Sequence, residues 1–186
     1  LHTAYRRQRQ MCIRDRLSHG DLGKASMIIA QRSNLPAVCG RVCPHERQCE
    51  GSCILGRKGQ GIKIGKLERF IADMDGELEL VAPNVAKSQP GNIAVIGSGP
   101  AGLTVAGDLA KMGFKVTVFD SQPEAGGVLM YGIPEFRLPK QVVRREVKRI
   151  KKLGVDFKLN IMVGTEITVD ELFNQGFDAI FIGTGN

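Results

Sequence analysis

The stretch NIAVIGSGPAGLTVAGDLAKMGFKVTVFD, residues 92–120, decides the fold. IAVI is a short apolar run of the kind that fills a parallel strand buried on both faces. Gly97, Gly99 and Gly102 follow at G-x-G-x-x-G spacing. AGLTVAGDLAKMG then reads as a helix closed by Gly113, KVTVF as a second strand, and Asp120 stands at its end. Three glycines alone are a weak signal, and a ligand-free turn is the ordinary alternative. Strand, glycines, helix, strand and terminal acid in that order are the fingerprint of a dinucleotide-binding βαβ unit. Gly97 permits the tight turn out of the strand, Gly99 lets backbone approach a pyrophosphate, and Gly102 lets the helix pack close to the sheet. The phosphates then sit at the helix N-terminus, where unpaired N–H groups and the dipole favour negative charge. Asp120 is placed to accept hydrogen bonds from the adenosine ribose, which suits NAD or FAD and disfavours a 2′-phosphate there.

Downstream, SQPEAGGVLMYGIPEFRLPK (121–140) is a long glycine- and proline-bearing excursion, where an ordinary NAD fold continues with a short loop and a helix. KQVVRREVKRIKKLG (140–154) reads as a helix with Val143, Val147 and Ile150 on one stripe. TVDELFNQGFDAIFIGTGN (168–186) holds a capping box, Thr168 to Glu171, then the strand AIFI and Gly183-Thr184-Gly185. A strand ending in G-T-G brings a second stretch of backbone towards the cofactor phosphates.

Upstream, APNVAKSQPG (82–91) is a polar linker with two prolines and a glycine. Residues 18–81 form a small helical unit before it. DLGKASMIIAQRSN (21–34) predicts a short helix ending before Pro36. IGKLERFIADMD (64–75) predicts another, with Leu67, Phe70, Ile71 and Met74 on an apolar face. Between them lie Cys39, Cys43, Cys49 and Cys53, at C-x3-C-x5-C-x3-C spacing. Clustered cysteines of this kind point to metal or redox work rather than to a secreted disulfide framework. On spacing alone, a structural zinc site and an iron–sulfur site stand about even.

The chain of 186 residues is 42% apolar and 24% charged, the balance of a globular protein with room for two small domains. It has no apolar run long enough for a membrane span and no secretory signal core. The net charge of +7 raises a nucleic-acid reading. The excess sits in two blocks: five arginines against one aspartate in the first sixteen residues, and seven basic residues against Glu146 between Lys140 and Lys152. Neither block is interleaved with aromatics, so a basic tail and a solvated helix face are expected, with no nucleic-acid partner. MCIRDR (11–16) resembles the translated end of a sequencing transposon, so residues 1–17 are expected to be a library artefact in which Cys12 carries no function.

The stretches LPAVCGRVCPHERQCEGSC, IKIGKLERFIAD, AVIGSGPAGL, GGVLMYGIPEFRLPK and FDAIFIGTG, spanning roughly residues 22–185, resemble the glutamate synthase small-subunit family. Its relatives include the large subunit of NADH-dependent ferredoxin:NADP oxidoreductase, sulfide dehydrogenase and the N-terminal half of dihydropyrimidine dehydrogenase. The resemblance implies a small all-α iron–sulfur domain followed, after the linker, by an α/β Rossmann-type FAD-binding domain over residues 92–186, truncated. It implies two [4Fe-4S] clusters, with Cys43 and Cys49 serving one, Cys53 the other, and Glu68 standing where some relatives place a non-cysteine ligand. Cys39 matches a family cysteine that need not be a ligand. In the second domain the resemblance assigns Gly97, Ser98, Gly99, Pro100, Ala101 and Gly102 to the phosphate loop and Asp120 to the ribose. It places Gly127, Val128 and Leu129 beside the flavin, has Arg137 contact FAD, sets Val163 near the adenine, and makes Gly183, Thr184 and Gly185 the second phosphate approach.

The activity implied is electron relay in the cytoplasm, from NADH or NADPH through FAD to the clusters and on to a large subunit or ferredoxin-linked partner, without a membrane. No acid–base or nucleophilic catalytic residue is expected. The family's upstream cysteine group and its NADPH-binding domain have no counterpart in this sequence, so a fragment inactive by itself is expected. Two alternatives remain: a ferredoxin:NADP oxidoreductase/sulfide dehydrogenase-type or dihydropyrimidine dehydrogenase-type subunit, and a non-enzymatic zinc-stabilised nucleotide-binding module.

Overall fold

The computed structural model describes residues 12–59, 61–82 and 85–185. Of the tail expected to be an artefact, residues 1–11 lie outside the described residues. Two compact units divide after Ala82.

The first unit is helical. Residues 12–18 are helical (α1), followed by α2 (Leu22–Ala30), α3 (Pro36–Val42), two short 3-10 turns (His45–Arg47 and Ile54–Lys58) and α4 (Ile64–Leu78). Asp21 caps α2 by accepting from the Lys24 backbone N–H at 3.1 Å, and Pro36 opens α3 where its missing N–H costs nothing. Ile13, Ala25, Ile29 and Ile71 form one buried cluster, so α4 packs its Ile71 side against α2 and residues 12–18. Arg41 on α3 makes two bonds to the Asp73 carboxylate on α4, at 2.8 and 2.9 Å. A side chain on Gly40 would come within 2.7 Å of the Arg69 backbone, so α3 and α4 pack closely at this glycine. The predicted apolar face of α4 shifts in one respect. Phe70 is 52% exposed, because the buried side runs through Ile64, Ile71, Ala72 and Asp75 instead.

The second unit is a four-stranded parallel sheet in the order β3-β2-β1-β4, with β1 (Asn92–Ile96), β2 (Lys115–Asp120), β3 (Asp156–Leu159) and β4 (Ala179–Ile182). Its helices are α5 (Pro100–Lys111), α6 (Val128–Tyr131), α7 (Lys140–Lys152) and α8 (Val169–Asn174). Successive β1 residues face opposite sides. Ala94 and Ile96 pack with Phe119 and α8's Leu172, while Val95 faces the α5 side, where its Cγ1 lies 3.3 Å from the point a Gly102 Cβ would occupy. The stripe predicted on the basic helix is buried, with Val143, Val147 and Ile150 inside. The predicted capping box also forms: Thr168 Oγ1 accepts from the Glu171 N–H, and the Glu171 carboxylate accepts from the Thr168 N–H.

Candidate cofactor and cluster sites

In the sheet unit, β1 has β2 on one side and β4 on the other, and the chain leaves β1 and β4 at the same edge. Ligands of open parallel sheets bind at such a switch point, outside the carboxyl ends of the strands. Gly97 turns the chain out of β1 with φ +98°, its N–H donating to Phe119 O at 2.8 Å. A Cβ here would lie 2.4 Å from Gly183 O. The two glycine turns therefore touch, and Gly183 N–H donates to Ile96 O at 2.8 Å. A Cβ on Gly102 would meet Gly97 O at 1.8 Å. Gly99 is the opposite case. It caps α5, ahead of Pro100 and Ala101, and no atom lies within 4 Å of where its Cβ would stand. Two glycines are thus required by packing, while the third opens on free space at a helix N-terminus.

The order of residues does not reveal what Ser98 and Asp120 do together. Ser98 is fully buried, and its N–H and Oγ both donate to Asp120 Oδ2 at 2.6 Å. Its Oγ accepts from Gly126 N–H at 3.1 Å, and Asp120 Oδ1 accepts from Gln122 N–H at 2.9 Å. The acid expected at the ribose therefore also pins the glycine loop to the following excursion. Gly127 begins α6 with φ +51°, and its Cβ would come within 2.8 Å of Gly99 Cα, so the excursion runs directly beside the phosphate loop. Leu129 is buried and Val128 exposed. Lys140 Nζ donates to Leu129 O and Ile133 O, holding this loop closed. Arg137 is exposed. Val163 is partly buried against the Ala94–Leu172 cluster. Thr184 and Gly185 are exposed beyond β4.

In the helical unit, Cys39, Cys43 and Cys49 line one cavity of about 250 Å³, with Glu68 of α4 on its wall. Cys53 is not part of that wall. Burial, then the neighbouring Cys43 thiol and Glu68 carboxylate, pushes the Cys39 thiol up to about 12. Burial also raises the Cys49 thiol. Cys53 moves the other way, because backbone hydrogen bonds from Ile62, and then Gly56 and Leu55, favour its thiolate. His45 lines the cavity too, and its Nε2 is buried without a hydrogen-bond partner among the described residues. Glu50 accepts from Gly65 N–H at 3.0 Å, tying the cysteine loop to the start of α4.

Donors around a single tetrahedral zinc stand about 3.8 Å apart, given Zn–S bonds of about 2.3 Å. Among the described residues no three His, Cys, Asp or Glu side chains converge in that way. Cys39, Cys43, Cys49 and Glu68 share the lining of one cavity. Once deprotonated, the three thiols are soft donors, and the carboxylate is a hard one, and iron accepts both.

Comparison with known proteins agrees with both halves. A family described as dihydropyrimidine dehydrogenase domain II, 4Fe-4S cluster, matches residues 11–80. The NAD(P)-binding Rossmann-like domain matches residues 95–142. The chain is 41% identical over 169 residues to the glutamate synthase [NADPH] small chain of Escherichia coli, covering 90% of this chain and 36% of that one. It is 42% identical over 158 residues to the Bacillus subtilis glutamate synthase [NADPH] small chain, covering 84% and 31%. It is 38% identical over 193 residues to the NADP(+)-dependent formate dehydrogenase subunit beta of Moorella thermoacetica, covering 92% and 27%. The chain thus spans about a third of the length of these relatives. No helix among the described residues is long and apolar enough to cross a membrane.

Proposed function

Since this chain belongs to the glutamate synthase small-chain-like oxidoreductase family, we propose that it is the cluster-bearing and flavin-binding part of an NAD(P)H-dependent electron relay. The observation that carries this reading is a thiol-lined cavity and a dinucleotide-type glycine turn on one chain. When bound, FAD accepts electron pairs and releases them singly, and [4Fe-4S] groups carry single electrons. The chain's own residues bind and orient. Cys43, Cys49 and Glu68 hold a cluster in the cavity, and Cys53, its thiolate favoured by backbone N–H groups, ligates a second. Gly97, Gly99, Pro100, Ala101 and Gly102 present backbone to the FAD pyrophosphate. Asp120, held by Ser98, receives the ribose. Gly183, Thr184 and Gly185 close the phosphate side, Gly127 to Leu129 and Arg137 meet the flavin end, and Val163 the adenine. NADH or NADPH binds outside these residues, and a large subunit takes the electrons.

Anaerobic purification followed by analysis of metal, acid-labile sulfide and flavin tests this. Iron and sulfide in equal amounts are expected, with FAD retained. One zinc per chain without sulfide overturns the cluster assignment and favours the zinc-stabilised module.

A further inference from the structure

α6 (Val128–Tyr131) is a single helical turn, and a helix that short does not hold itself. Its start is fixed by packing. A Cβ on Gly127 would lie 2.8 Å from Gly99 Cα in the phosphate loop, and one on Gly126 would lie 2.9 Å from Val143 Cγ1 on α7. Its end is fixed differently. The N–H groups of Gly132 and Ile133 both turn back to Val128 O at 2.9 Å, and Pro134 has no N–H to give. Ile133 N–H is the helical donor that Leu129 O would otherwise receive. The carbonyls of Leu129 and Ile133 are met instead by Lys140 Nζ, at 3.0 Å for Leu129 O. Lys140 opens α7, and its own N–H donates to both oxygens of the Glu135 carboxylate, at 3.1 and 3.2 Å. Val143 stands three residues further along α7, on the same face. α7 therefore grips the excursion at both ends of α6, with an apolar contact at Gly126 and an ammonium at Leu129 and Ile133. Residues 134–137 beyond the grip are exposed, and Leu138 is buried.

We infer that Lys140 is the positioning residue of the flavin side: by holding the end of α6 it sets where Gly127, Val128, Leu129 and Arg137 stand against FAD. The inference rests on the FAD reading above and deepens it. A lysine ammonium is suited to the task, because it carries three donors and no acceptor on a flexible stem. It can serve two carbonyls at once, and its charge makes each bond stronger than a neutral one. An apolar side chain of similar length leaves both carbonyls without that donor, and a one-turn helix with a free end frays. Because Gly127 abuts Gly99, a shift of α6 is also felt at the phosphate loop. Lys140 acts through main-chain carbonyls, so its role is to position and not to catalyse.

The test compares wild type, Lys140→Met, Lys140→Arg and a stability control, Asp178→Ala. The control removes the acceptor of Asn92 N–H at the amino end of β1, away from the glycine turns. FAD affinity is read by flavin fluorescence, and the setting of the bound flavin by its visible circular dichroism. Tryptic cleavage after the exposed Arg137, followed by mass spectrometry in the FAD-free chain, reads the loop itself. Thermal unfolding reports folding, and Lys140→Gln, whose amide is too short to reach both carbonyls, replaces Lys140→Met should that variant not fold. Lys140→Met is expected to weaken FAD binding at least about fivefold, through the loss of charged hydrogen bonds. Cleavage after Arg137 should rise at least about threefold, as a locally opened loop requires. Lys140→Arg, which keeps the donors, should stay within about twofold of wild type in both. Asp178→Ala should lower the unfolding midpoint and change neither. A folded Lys140→Met that binds FAD and is cleaved like wild type overturns the role of Lys140 while leaving the FAD reading intact. Equal loss of FAD affinity in Asp178→Ala overturns it too, since stability alone would then account for the effect. A wild-type chain that binds no FAD overturns both.

Discussion

Gly99 and Gly102 are three residues apart in one motif, yet alanine at each should do opposite things. At Gly102 a Cβ would lie 1.8 Å from Gly97 O, where real contacts stop near 3.0 Å. Relief requires the Gly97 carbonyl or the start of α5 to move by more than an ångström. Gly97 cannot yield easily, since its N–H is bonded to Phe119 O and its Cα faces Gly183 O. We expect the upper part of the overpacking range, about 3 kcal/mol. For a domain of this size that lowers the unfolding midpoint by roughly 12–24 °C. At Gly99 the backbone is at φ −67°, ψ −178°, ordinary for alanine, and nothing lies within 4 Å. Alanine loses some N-cap preference, roughly offset by reduced unfolded-state entropy, for a net change under about 1 kcal/mol. Its methyl does stand where a pyrophosphate would approach, so FAD affinity should fall at least about tenfold, or 1.4 kcal/mol. Thermal unfolding followed by circular dichroism, paired with titration of FAD fluorescence, separates the two. The reasoning is refuted if Gly99→Ala unfolds as early as Gly102→Ala, or if a stable Gly99→Ala binds FAD as tightly as wild type.

Two further outcomes are expected. Ser98→Ala strips the buried Gly126 N–H of its acceptor and should cost about 1–3 kcal/mol in urea unfolding, and a change below about 0.5 kcal/mol would contradict the bridging role. In the metal-free protein at pH 8, a thiol near 12 holds about a thousandth of the thiolate of one near 9, whereas the lowered Cys53 holds more than that reference. Iodoacetamide labelling read by peptide mass spectrometry should therefore modify Cys53 far ahead of Cys39, and equal rates would show that the two environments are misassigned.

Much of the sheet unit was legible because its motifs are local. Gly97 to Gly102 and Asp120 announce a strand–turn–helix–strand whose hydrogen bonds close within thirty residues, and the Thr168–Glu171 box is written in four. What the order of residues could not show are contacts between distant segments. The touch of Gly97 on Gly183 brings together residues far apart in the chain, and the Ser98–Gly126 bond depends on how the excursion folds back. Lys140 was legible as part of a basic block, but its engagement of Leu129 O and Ile133 O needs the loop itself. Phe70, expected on the buried face, lies outside it because neighbouring helix positions are about 100° apart, and packing on α2 and α3 chose the side through Ile71 and Ala72.

The cysteines show most sharply why spacing underdetermines a site. Cys39–Cys43 and Cys49–Cys53 share the same C-x3-C spacing. In the first pair the intervening backbone is the last turn of α3, and helical geometry stacks the two thiols on one face. Pro44, which has no N–H to continue the helix, follows at once. The second pair spans turns between two 3-10 segments, where four residues impose no common direction, and the fold sends Cys49 to the cavity while Cys53 meets the backbone N–H of Ile62. A spacing rule carries geometric meaning only where the backbone between the residues is regular. Grouping the thiols therefore requires the backbone between them: α3 carries Cys39 and Cys43 to one cavity wall, and the irregular turn after Cys49 leaves Cys53 outside it.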